Sequence, residues 1–77
     1  MKHQTRITVY RSGKLAANVQ VSLEYSGLSQ MGFAGPSYTN RDGVAIVEHA
    51  STGPATLWVN SSARGSINTP GSDVVHL

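Results

Sequence analysis

From Val19 to Tyr25 the chain alternates without a break: Val19, Val21, Leu23 and Tyr25 are apolar, and Gln20, Ser22 and Glu24 between them are polar. A period of two fits a strand, whose successive side chains point to opposite faces, and it does not fit a helix. The odd positions are thereby assigned to a core and the even ones to solvent. Ile7 and Val9 repeat the pattern within Thr5–Tyr10, and Ala55, Leu57 and Val59 alternate with Thr56, Trp58 and Asn60. Val44-Ala45-Ile46-Val47 is a further β-rich run. No segment longer than about seven residues carries a helical period.

Punctuation separates these runs. Gly13 and Ala16-Ala17-Asn18 divide the first two. Residues 26–37 hold three glycines and a proline, which predicts a long loop carrying the apolar side chains of Leu28, Met31 and Phe33. A short run, Ser37-Tyr38-Thr39, leads into Asn40-Arg41-Asp42-Gly43. That segment reads as a hairpin signal, because Asp-Gly supplies residues that tolerate positive φ. Gly53-Pro54 opens the Trp58 strand, Ser61 to Gly65 reads as a turn, and Ser66–Thr69 as a short strand. Pro70-Gly71 is a second strong turn before a last strand over Asp73–Leu77. Six or seven short strands at such spacing predict an all-β fold, a small antiparallel β-sandwich, as a single domain over residues 1–77.

Composition narrows the chemistry. A chain of 77 residues buries only roughly 60% of its unfolded surface, so its core is lean and docking on a partner is a natural remedy. There are no cysteines, which excludes disulfides and thiolate metal sites. The six Lys/Arg are scattered and form no basic stripe, so nucleic acid is not an expected partner. The N-terminus lacks the apolar stretch of a signal peptide, and no apolar run approaches the ~20 residues of a membrane helix. The expectation is a cytoplasmic protein with no membrane partner, unless the chain is cut from a larger or processed one.

The order of these pieces resembles the prealbumin-like (transthyretin-like) β-sandwich, in particular carboxypeptidase regulatory-like and CnaB-type domains. The matching residues are Gly13 through Val19-Gln20-Val21-Ser22-Leu23, then Thr39-Asn40-Arg41-Asp42-Gly43-Val44-Ala45-Ile46, then Gly53-Pro54-Ala55-Thr56-Leu57-Trp58-Val59. The resemblance spans about residues 5–60 and implies the immunoglobulin-like sandwich architecture of that group. Two activities found among such domains are not matched by the residues. Hydroxyisourate hydrolases close on Tyr-Arg-Gly-Ser, whereas this chain ends Asp-Val-Val-His-Leu and carries Ala63-Arg64-Gly65-Ser66 internally. An isopeptide bond of the CnaB type needs a buried lysine facing an asparagine and a carboxyl. Lys2 sits at the terminus and Lys14 in a predicted loop, away from Asn60, Asn68, Glu24 and Glu48.

The other polar constellations are equally plain. His3, His49 and His76 match no local ligand spacing and read as surface or strand-end histidines. Asn40 and Asp42 are spaced like calcium ligands, but the loop has no further carboxylates. No metal, cofactor or catalytic residue is expected. Trp58 is different, because alternation sends it outward if Leu57 and Val59 face the core. An outward Trp58, near Tyr10 or the Met31/Phe33 loop, makes an interaction surface for protein or sugar, unless it covers the second face of a sheet or lies under the 27–35 loop. The candidate binding residues are therefore Trp58, Tyr38, Met31 and Phe33. The functional expectation is a non-catalytic module for protein–protein contact, self-association included, or for structural support. The alternative is a carbohydrate- or small-ligand-binding module using the same aromatics.

Overall fold

A computed structural model describes residues 2–26 and 31–77. Among them are eight strands: β1 (His3–Arg11), β2 (Lys14–Leu15), β3 (Gln20–Ser26), β4 (Met31–Tyr38), β5 (Val44–His49), β6 (Gly53–Val59), β7 (Ser62–Thr69) and β8 (Ser72–His76). They form two four-stranded sheets, the all-β sandwich that the alternation predicts. In the first sheet β1 pairs antiparallel with β2 and β5, and β8 lies parallel to β1. The second runs β4-β3-β6-β7, antiparallel throughout.

The core lies between the sheets and follows the period of two. Ile7, Val9, Ala45, Val47 and Val75 come from the first sheet; Val21, Leu23, Tyr25, Ala55, Leu57 and Val59 come from the second. Ala16 and Val19 close the cluster. Glu48 stands near the end of β5 on the solvent side.

Two segments depart from the sequence expectation. The predicted loop over 26–37 is β4 from Met31 onward. Its glycines and proline are accommodated because β4 is an edge strand with a bulge: Val21 pairs with Ser37 but Leu23 with Ala34, so one extra residue is taken up around Gly35-Pro36. Gly35 has φ +97, and a Cβ there would stand 3.1 Å from the Val21 carbonyl oxygen. The predicted turn over Ser61–Gly65 is shorter. Asn60-Ser61 alone makes a two-residue hairpin, both residues at positive φ (50 and 67), closed by the Val59–Ser62 pair. The stretch after it gives no strand signal because β7 is also an edge strand, exposed along Ser62–Ser66.

Asn40-Arg41-Asp42-Gly43 is a tight turn, but it does not close a hairpin. It carries the chain from β4 in the second sheet to β5 in the first. Asn40 Oδ1 accepts from the N–H groups of Asp42 (2.9 Å) and Val44 (3.1 Å), and Gly43 N–H donates to the Asn40 carbonyl (2.9 Å). Thr39, just before it, is buried; its hydroxyl donates to the Ala16 carbonyl (2.6 Å) and accepts from Val19 N–H (2.9 Å). Gly43 has φ +73, and a Cβ would meet the Val9 carbonyl oxygen at 2.9 Å. The Thr-Asn-x-x-Gly spacing is thus a clamp of the crossover onto β1 and the β2–β3 connection. Two backbone groups of β8 are taken by side chains: Val74 N–H by Asp73 Oδ1 (2.9 Å) and the His76 carbonyl by Arg64 (2.8 Å). Both occupy backbone that could otherwise recruit a foreign strand.

Candidate functional site

The outer face of the second sheet follows from β3. Gln20, Ser22 and Glu24 point away from the core because Val21, Leu23 and Tyr25 fill it. Residues paired across an antiparallel ladder share a face. Gln20 pairs with Tyr38, Glu24 with Phe33 and Ser22 with Trp58, so all three aromatics emerge on that same face. The β4 bulge lies between Phe33 and Tyr38. β3 separates β4 from β6, which sets Phe33 and Trp58 two strand spacings apart, about 9–10 Å between strand axes.

Between them lies an open groove of about 240 Å³, lined by Gln20, Ser22, Phe33, Trp58 and Ser61. The short Ser22 side chain on the central strand leaves the floor low. Trp58 is half-buried and fixed, its indole N–H donating to Glu24 Oε1 at 2.9 Å. Phe33 and Tyr38 are held out in water at 67% and 59% exposure. The rim is fixed as well. Asn60 N–H donates to the Gln20 carbonyl (2.9 Å), and Asn60 Oδ1 accepts from Gln20 N–H (3.2 Å), tying the β6–β7 turn to the start of β3.

Of the residues predicted to bind, the structure brings Trp58, Phe33 and Tyr38 onto one face. Met31 opens β4, but its side chain lies outside the described residues, as does Leu28. Tyr10 is not a neighbour of Trp58: it belongs to the first sheet and stacks on His76, ring centroids 5.1 Å apart. Gln20, Ser22 and Ser61 complete the groove and were legible only as solvent-facing or turn residues. Glu24 is tied to Trp58, and Lys14 is exposed in β2, so neither is placed for isopeptide chemistry.

His49 is not a surface histidine. It is buried at the end of β5 inside a polar network. The Ser51 carbonyl, which only accepts, takes a hydrogen bond from Nδ1 (2.7 Å), so Nδ1 carries the ring proton and Nε2 is an acceptor. Thr5 Oγ1 then donates to Nε2 at 2.7 Å. Tyr25 OH lies 3.1 Å from Nδ1 and 2.7 Å from Thr69 Oγ1, and Thr69 donates to the Gly53 carbonyl (2.9 Å). A hydroxyl on an imidazole suggests a nucleophile and its base. Here Thr5 is 0% and His49 4% exposed, and the pair is a staple between β1 and β5 with no route to a substrate. His3 stacks on His49 (5.9 Å) while His76 stacks on Tyr10, so the three histidines do not converge. Among the described residues no three His, Asp or Glu side chains are arranged to hold a metal ion, and no helix is long and apolar enough to cross a membrane.

No family model matches the chain, and neither a curated protein nor a solved structure does.

Proposed function

We propose that this chain is a non-catalytic β-sandwich module that works by presenting the outer face of the β4-β3-β6-β7 sheet to a partner. The observation that carries the reading is the placement of Phe33 and Tyr38: two large aromatics, 67% and 59% exposed, on the face where Trp58 is fixed by Glu24. Aromatic area kept in water is what binding surfaces use, since Tyr, Trp and Phe give large contact area at low entropic cost. The buried Thr5–His49 pair, closed to substrate, favours presentation over catalysis. Protein surfaces, a second copy included, and carbohydrates both use faces of this kind.

The same reading takes the sandwich as prealbumin-like, in the manner of carboxypeptidase regulatory-like and CnaB-type domains. The support is the element order and the Thr39-Asn40-x-x-Gly43 crossover that fastens one sheet to the other.

The test separates surface from scaffold. In the Phe33→Ser/Tyr38→Ser double variant, aromatics that serve a partner leave folding stability within about 0.5 kcal/mol of the parent. A loss above about 1.5 kcal/mol in urea unfolding assigns them to the fold and removes the reading.

A further inference from the structure

We infer that the groove between Trp58 and Phe33 takes a neutral carbohydrate, one or two sugar rings lying across Ser22 with an apolar ring face against the Trp58 indole. This rests on the reading that the aromatic face is the working surface.

Three observations choose sugar over protein. The first is the lining among the described residues: an amide (Gln20), two hydroxyls (Ser22, Ser61) and two aromatic rings, with no Leu, Ile or Val among them. The core of a protein–protein interface has an apolar interior and is rich in Met and Arg besides aromatics. A saccharide presents the opposite mixture, C–H faces for the rings and hydroxyls for uncharged donors and acceptors.

The second is charge. None of the five lining residues is charged, and the nearest carboxylate, Glu24, accepts from the Trp58 indole. Arg64 is turned to the His76 carbonyl at the β8 edge. A neutral ligand needs no counter-charge, whereas an anionic one would meet only the Glu24 carboxylate beside the two rings.

The third is preorganisation. The Trp58 ring is held by its N–H, and the Gln20 backbone is held by Asn60. Fixing both before the ligand arrives lowers the ordering cost of a small, weakly bound molecule. At about 240 Å³ the groove is slightly below the ~300–1,000 Å³ of enclosed small-molecule pockets, which suits a flat ligand left partly in solvent.

Trp58 is the chain's single tryptophan, so its emission reports this groove and nothing else. The purified chain is titrated with soluble cello-, malto-, xylo- and chito-oligosaccharides to about 10 mM, a range that captures millimolar affinity. The expected result is a saturable change in Trp58 emission with at least one series. Two variants are then titrated by calorimetry. Ser22→Arg fills the groove floor from the outer face, and Phe33→Ala removes the facing ring; each weakens binding about tenfold or more at unchanged melting temperature. A flat emission across all four series overturns the inference, as does binding that survives Ser22→Arg.

The two ways of failing are distinguishable. If no sugar binds, yet sedimentation shows the parent self-associating and Ser22→Arg monomeric, the face serves protein and only the carbohydrate assignment falls. If the parent neither binds sugar nor associates, and the aromatic variants are destabilised, the working-surface reading falls with it.

Discussion

Replacing Thr5 by Val and, separately, Tyr25 by Phe asks whether the buried His49 network is wired as the acceptor-only Ser51 carbonyl requires. With Nδ1–H given to Ser51, the Nε2 lone pair depends on the Thr5 hydroxyl alone. Thr5→Val keeps the shape, removes that donor and strands a buried acceptor, a loss of about 1–3 kcal/mol. Tyr25→Phe removes a hydroxyl with two hydrogen-bond contacts, which by bond counting looks worse. Its neighbours nevertheless keep other partners: His49 Nδ1–H still reaches Ser51 and Thr69 still donates to the Gly53 carbonyl. Tyr25→Phe therefore costs only the net worth of a satisfied hydrogen bond, about 0.5–1.5 kcal/mol. A domain of this size has roughly 4–12 kcal/mol in all at 0.05–0.15 per residue, so both changes are measurable. Urea unfolding followed by far-ultraviolet circular dichroism gives the two values, and each kcal/mol also lowers Tm by about 4–8 °C. Thr5→Val should be the more damaging by about 1 kcal/mol. An equal or reversed order refutes the assigned tautomer, because Nδ1 would then be an acceptor and Tyr25 the donor whose loss strands it.

Three further outcomes follow from backbone and packing. Gly43→Ala forces a Cβ to within 2.9 Å of the Val9 carbonyl at φ +73, and should cost about 2–3 kcal/mol in the same unfolding assay, more than the about 1 kcal/mol of a positive-φ alanine in open space. Ser61→Gly, at φ +67 in the two-residue hairpin, relieves left-handed strain and should raise stability by a few tenths to about 1 kcal/mol by thermal melting. Leu57→Ala opens a hole at the centre of the second sheet's inner face and should cost about 2–5 kcal/mol, with faster amide exchange across β3 and β6.

The fold was legible where strands have one dry and one wet face. β3 and β6 are central strands of the second sheet, each flanked on both sides, and their alternation survives in full. Edge strands obey weaker rules. β4 tolerates Gly35-Pro36 because a bulge absorbs the missing N–H and the extra residue, and β7 needs few apolar residues because only Ile67 and Thr69 turn inward. Composition therefore made β4 look like a loop and most of β7 look like a turn. His49 was misread for a related reason. Its network runs through Thr5 and Tyr25, and from Tyr25 to Thr69, on three other strands, and no local spacing announces a network assembled across both sheets.

The candidate site shows the same division more sharply. Alternation alone sends Trp58 outward and puts Ser22 in solvent, and both assignments hold. What makes a site is that Phe33, Tyr38 and Trp58 share one face with Ser22 between them, and that depends on pairing across β3 and on a one-residue bulge. Shift β4 by one residue and Phe33 and Tyr38 turn toward the core, with no change in composition or local pattern. The bulge matters in a second way. An unbroken β4 would put Phe33 and Tyr38 on opposite faces, since they are five residues apart in a period of two. The extra residue at Gly35-Pro36 corrects that parity, so one irregularity both disguises β4 as a loop and creates the aromatic surface. Bulges re-aim side chains at the edges of sheets where ligands are met. Deleting a single residue from the bulge should then dismantle the aromatic face while leaving the β3–β6 core in register.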